Sequence, residues 1–102
     1  MKFILIRHAT TDWNLLGKIQ GQTDIDLNKQ GEEEAKNLVP DLLNLGISCI
    51  VSSDLKRASN TAKIINEELK VSLQLDLALR ECSFGDIEGL TKVEATGKYG
   101  II

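Results

Sequence analysis

Phe3-Ile4-Leu5-Ile6-Arg7-His8-Ala9-Thr10-Thr11-Asp12-Trp13-Asn14 carries an apolar segment straight into an arginine, a histidine and a cluster of hydroxyl and amide groups. A short apolar run rich in Ile and Phe that ends in polar residues predicts a strand buried on both faces, at residues 2–6. A cation and a nucleophile follow at its end. His8 is the sole histidine of the 102 residues, so neither this chain nor a homo-oligomer of it holds a second type of imidazole.

Residues 47–52 form a similar run and predict a second strand. Between the two runs lies a helix. Asn28 suits its N-cap, Ala35, Leu38, Val39, Leu42 and Leu43 recur at helical spacing, and Gly46 supplies a stop. Pro40 removes the hydrogen bond to the carbonyl of Lys36 and predicts a bend or two helical pieces. A second helix is expected from Asp54, as N-cap, to Leu69, with Leu55, Ala58, Ala62, Ile65 and Leu69 on one stripe. Residues 71–75 predict a third, weaker strand. Strands alternating with helices of this length predict an α/β domain with a mainly parallel sheet and right-handed crossovers. Beyond Glu81 the periodicity fades among Gly85, Gly89, Gly97 and Gly100.

The composition, 42% hydrophobic and 26% charged with one proline, is that of a globular chain and not of a disordered one. Its length allows one domain with a real core. A net charge of -3 without a basic run argues against a nucleic-acid surface. The apolar run of residues 3–6 is too short for a membrane span or a signal-peptide core, so no membrane partner and a cytoplasmic location are expected. Cys49 and Cys82 have neither metal-ligand spacing nor a disulfide framework, and read as structural or incidental.

In a parallel α/β sheet, ligands bind beyond the carboxyl ends of the strands. Arg7 and His8 leave the first strand there. Ser52, Ser53 and Asp54 leave the second and lead to Arg57 in the first turn of the next helix, whose N-terminus adds unpaired N–H groups and a positive dipole end. Planar guanidinium forks match phosphate oxygens, which suggests an anion site. Pairing of each arginine with surface carboxylates is the alternative. Glu32, Glu33 and Glu34 read as a first-turn charge cluster that favours the helix, not as a site. Trp13 and Phe84 read as pocket walls.

Arg7-His8-Ala9-Thr10-Thr11-Asp12-Trp13-Asn14 resembles the Arg-His-Gly signature of the histidine phosphatase superfamily. Further matches follow in order: Gly21-Gln22-Thr23-Asp24, Leu27-Asn28-Lys29-Gln30-Gly31, Ser52-Ser53-Asp54-Leu55-Lys56-Arg57-Ala58 with Thr61-Ala62, Leu79-Arg80-Glu81, and Phe84-Gly85-Asp86-Ile87-Glu88-Gly89-Leu90. The pattern is closer to the phosphatase branch, α-ribazole phosphatases included, than to phosphoglycerate mutases. The resemblance implies a three-layer α/β sandwich with a mainly parallel sheet, in a truncated version of the phosphoglycerate mutase-like fold. It implies His8 as nucleophile forming a phosphohistidine, Arg7 and Arg57 on the phosphoryl oxygens, Asn14 and Thr11 adding hydrogen bonds, and Glu81 protonating the leaving alkoxide. The expected ligand is a small phosphate ester or inorganic phosphate. No metal or other cofactor enters that scheme.

The resemblance also fails in places. It covers nearly all of this chain but about the amino-terminal half of the family pattern, so residues 1–102 read as a partial domain without the carboxy-terminal half and its second histidine. Ala9 stands where the family has glycine, which would restrict the loop if positive φ were needed. With that half absent, residues 2–6 become an open sheet edge, which predicts a homo-oligomer formed through it. Activity in this chain would then be impaired; a silent phosphate-binding module and an assembly protein are the other readings.

Overall fold

In the computed structural model, which describes residues 4–80, 88–89 and 91, the chain runs through five elements. They are helix α1 (Asp12–Leu16), helix α2 (Lys29–Leu42), strand β1 (Cys49–Ser52), helix α3 (Lys56–Leu69) and strand β2 (Ser72–Leu75), with a 3₁₀ turn at Leu77–Leu79. The α/β class and the parallel sheet hold. β1 and β2 pair in parallel with Ile50 opposite Leu73 and Ser52 opposite Leu75, joined by α3 as the crossover.

α2 begins where the sequence indicates. The Asn28 side chain accepts from the Gly31 N–H at 2.8 Å, and Gly31, Ala35, Val39 and Leu42 form the buried stripe. The helix passes through Pro40 as one piece, not two, and ends two residues later. The missing N–H falls in the last turn, where the ladder is about to end anyway, so its cost is small.

α3 departs from expectation at its start. Its N-cap is Leu55, which offers no side-chain acceptor, and Asp54 is not the cap. Instead the Lys56 N–H donates to Asp24 Oδ1 at 2.7 Å, so a carboxylate thirty-two residues away serves the first turn. At the other end Lys70 adopts φ 54°, and Asn66 brackets Val71 by accepting from its N–H at 2.8 Å and donating to its carbonyl at 2.9 Å. That turn feeds the chain into β2.

The core is where α2, α3 and β1 meet. Val39, Leu42 and Ile65 are buried together, with Leu38, Ile47, Ile50 and Leu69 packed against them. Because side chains alternate along a strand, burial of Ile50 turns Cys49 and Val51 to the opposite face, where both are exposed. Among the described residues, then, the layers are one sheet and one group of helices.

The first predicted strand is not formed among the described residues. Ile4 is 47% exposed, Leu5 96% and Ile6 42%, and residues 4–6 belong to no ladder. Sequence pattern makes these residues competent for a strand, but a strand exists only when a neighbour takes its hydrogen bonds. Residues 2 and 3 of that expectation lie outside the described residues. Among the described residues no helix is long and apolar enough to cross a membrane.

Candidate active site

The turn after residues 4–6 is held from two directions. The Ala9 N–H donates to Thr61 Oγ1 at 3.0 Å, and that hydroxyl donates to the Arg57 carbonyl at 2.6 Å. This places the residue next to His8 against the first two turns of α3. From the α2 side, the Thr10 N–H and hydroxyl donate to Glu34 Oε1 at 3.0 and 2.7 Å. These bonds, led by that of the Thr10 hydroxyl, hold the Glu34 carboxyl below its ordinary value of 4.5. Glu34 is thus more than a member of a helix-favouring charge cluster. Its place beside the buried stripe of Gly31 and Ala35 was the available sequence signal.

Gly31 is required by the same contact. A Cβ there would sit 2.1 Å from the Thr10 carbonyl oxygen, so α2 and the turn approach more closely than any other residue permits. Ala9, by contrast, does not need glycine's freedom, since Lys70 is the one described non-glycine residue with positive φ.

His8 is half-buried, and its Nδ1 lies 2.6 Å from the Ala9 carbonyl oxygen. A carbonyl only accepts, so this contact places a hydrogen on Nδ1. Arg7, one residue earlier, is exposed and makes no hydrogen bond or ion pair among the described residues.

Arg57 is 3% exposed. Its Nη1 donates to the Thr23 carbonyl at 2.7 Å and its Nη2 to the Gly21 carbonyl, while Asn60 Nδ2 donates to Asp26 Oδ1 at 2.7 Å. With the Asp24 cap, these bonds stitch the 21–26 loop along the start of α3. Glu88 closes the loop from its far side, accepting from the Gln22 N–H at 3.1 Å and from the Thr23 hydroxyl. Arg57 is buried, with two of its five N–H groups on these backbone carbonyls.

Thr11 and Asn14 form one unit. Thr11 is fully buried and caps α1, accepting from the Asn14 N–H at 3.2 Å and donating to Gln20 Oε1 at 2.7 Å. Asn14 Oδ1 accepts from the Thr11 N–H at 2.9 Å, which leaves Nδ2 as the donor end of the amide. Thr11 is placed to orient Asn14. Trp13 carries Lys18 Nζ 5.7 Å from its ring centroid and closes over Gly89, consistent with a wall residue.

Asp54 and Arg80 form a fork. Arg80 Nε donates to Asp54 Oδ1 at 2.6 Å and Nη2 to Oδ2 at 2.5 Å. The pairing lowers the Asp54 pKa and raises that of Arg80, in both cases chiefly through the shared hydrogen bonds. The fork ties the end of the 3₁₀ turn to the β1–α3 connection. Glu81, Cys82 and Phe84 lie outside the described residues. Sequence reasoning missed Glu34, Asp24 and Gln20 as supports of the site, because each acts across a distance that spacing does not reveal.

Comparison with known proteins gives this arrangement a family. The sequence matches the profile of the histidine phosphatase superfamily (branch 1) over residues 3–100. A Bacillus subtilis protein named uncharacterized phosphatase PhoE is 43% identical over 93% of this chain and 49% of its own length. A mycobacterial glucosyl-3-phosphoglycerate phosphatase, solved with VO3, superposes with a TM-score of 0.86 at 35% identity, covering 91% of this chain and 46% of that one. A phosphoserine phosphatase from Entamoeba histolytica, solved with 3-phosphoglyceric acid, gives 0.80 at 38% identity, covering 92% and 46%. The chain spans about half the length of the relatives it matches. With a profile match over nearly the whole sequence and an Arg7-His8 turn locked onto α2 and α3, the chain belongs to the histidine phosphatase superfamily, branch 1.

Proposed function

We propose that this chain carries the nucleophilic half of a phosphomonoester hydrolysis or phosphoryl-transfer site. The observation that carries the reading is the contact of His8 Nδ1 with the Ala9 carbonyl, which assigns Nε2 as the nitrogen that attacks phosphorus. In the first step the Nε2–P bond forms and the P–O bond to the alcohol breaks. Glu81 gives its proton to the departing oxygen. Water then attacks the phosphohistidine, the N–P bond breaks, and Glu81 takes the proton back as inorganic phosphate leaves.

Arg7 and Arg57 spread the charge of the transferring oxygens, and Asn14 Nδ2 adds a neutral donor held in place by Thr11. Small phosphate esters and inorganic phosphate are the ligands that fit. In support, the mycobacterial phosphatase has been solved with inorganic phosphate and the Entamoeba one with a phosphorylated acid. Losing one such charge-stabilising donor would lower turnover by about two to three orders of magnitude.

Hydrolysis of an aryl phosphate by the purified chain and by His8→Ala, prepared in parallel without added metal, tests the reading. Turnover that disappears in the variant is expected; equal rates in the two overturn it. A second reading, a phosphate-binding or assembly module without turnover, draws support from the exposure of Leu5 at 96%. In that case the chain associates with itself through residues 4–6, and phosphate binds without being released from an ester.

A further inference from the structure

The peptide group between Ala9 and Thr10 is held at both ends. Its carbonyl accepts from His8 Nδ1 at 2.6 Å, and its N–H donates to Glu34 Oε1 at 3.0 Å. A peptide group is planar, so neither end turns without the other. The Glu34 carboxylate and the His8 ring are thereby joined through one rigid unit.

Glu34 is equipped to hold that plane. The Thr10 hydroxyl lies 2.7 and 2.9 Å from its two carboxylate oxygens, and Gln30 Nε2 donates to Oε2 at 3.2 Å. The Thr10 carbonyl accepts from the Asn28 N–H at 3.1 Å, so the residue is fixed to the start of α2 from several sides. Glu34 itself leaves the helix next to buried Ala35. Its carboxylate takes part in neither ion pair formed among the described residues, Lys36–Glu33 and Arg80–Asp54. The charge acts on neutral donors instead, which strengthens those bonds. Hydrogen bonds in series also polarise one another, so a carboxylate on the peptide N–H makes the carbonyl at the other end a better acceptor.

We infer that Glu34 is a positioning residue for His8, acting through the Ala9–Thr10 peptide: it fixes the plane of the Ala9 carbonyl and tightens that carbonyl's hold on Nδ1–H. Thr61 cannot substitute for it, because the Ala9 N–H that Thr61 accepts belongs to the preceding peptide group. The relay stands without turnover; its consequence for rate rests on the reading above, in which Nε2 attacks phosphorus. A ring released from the carbonyl spends time with its hydrogen on Nε2, and in that state Nε2 has no lone pair to give.

His8 is the sole histidine, so the chain labelled with 15N in the imidazole gives one pair of ring signals, whose shifts read the ratio of Nδ1–H to Nε2–H in the neutral ring. Nδ1–H should dominate, and the ratio should fall at least about threefold in Glu34→Ala. Glu34→Gln still offers Oε1 to the Thr10 N–H, and Thr10→Val keeps that N–H, so both should stay within about twofold of the unchanged chain. Glu34→Asp keeps the charge but is one methylene shorter; a fall of at least about twofold is expected there, and it replaces the alanine variant if that one does not fold. In the unchanged chain the Thr10 amide should exchange at least about tenfold more slowly than an exposed loop amide. A ring that is mainly Nε2–H in the unchanged chain, a Thr10 amide that exchanges like an exposed one, a folded Glu34→Ala or Glu34→Asp with an unaltered ratio, or an equal fall in all four variants overturns the inference. Aryl phosphate hydrolysis should lose kcat at constant KM in Glu34→Ala and keep it in Glu34→Gln. The expected ring ratios without any His8-dependent hydrolysis would overturn the catalytic reading alone.

Discussion

The turn around His8 and the sheet beside it are built to different degrees of completion. In the turn, Thr11 is fully buried, Arg57 is 3% exposed and Thr61 4%, and every buried side-chain nitrogen or oxygen among the described residues has a partner. In the sheet, Val51 and Leu75 stay near half exposure and the Ile4-Leu5-Ile6 run is bare. Hydrogen bonds need only a few matched groups, all of which lie within this chain, whereas burying a sheet on both faces needs another layer. The polar groups of this chain can therefore hold the turn together while its apolar framework stays open among the described residues.

The contrast can be broken first at Gly31. Gly31→Val would drive a side chain into the Thr10 carbonyl, and a loss of about 3 kcal/mol in urea unfolding is expected. A near-neutral result would show that α2 and the turn are not in rigid contact. Arg57→Ala strips donors from the Gly21 and Thr23 carbonyls and should cost about 2 kcal/mol, together with phosphate affinity measured by calorimetry. Unchanged phosphate binding in that variant would limit Arg57 to a structural role.

Thr61→Val keeps shape but strands the buried Ala9 N–H, for which about 1.5 kcal/mol is expected. The same unfolding assay reads it, and no change would mean that the His8 turn is not anchored on α3. Glu34 adds a pH signature. Its folded pKa is depressed, so its contribution is present above the ordinary value of 4.5 and is lost as pH falls through the lower folded value. The gap in urea midpoint between the chain and Glu34→Gln should close as pH drops below about 4.5; a gap independent of pH would deny the charge any part. The smallest effect on folding belongs to the open side. Leu5→Asp should shift stability by less than about 0.5 kcal/mol, and a larger loss would mean that residues 4–6 are already packed.

Much of the fold was legible locally. Asn28 caps α2, the apolar stripe buries its predicted residues, and residues 49–52 and 72–75 pair in parallel around a helix. Periodicity and capping report on neighbours a few residues apart, which is why these elements could be read. Asp54 misled because a good capping residue has other uses: its carboxylate goes to Arg80, and Asp24 serves the helix instead. Thr11, read as a ligand donor, also caps α1 as a buried residue, since one hydroxyl chemistry fits both roles.

The sequence by itself determined α2, α3, the two paired strands, the order of the motifs and the family, because each depends on residue types at short spacing. Tertiary structure decided which groups those residues meet. It set His8 Nδ1 against the Ala9 carbonyl, assigned Glu34 to Thr10 and Arg57 to the 21–23 loop, and left residues 4–6 without a ladder among the described residues. The physical reason is the same throughout: propensity belongs to a residue, but a hydrogen bond or a buried face belongs to a pair, and the partner's position is set only when the chain has folded.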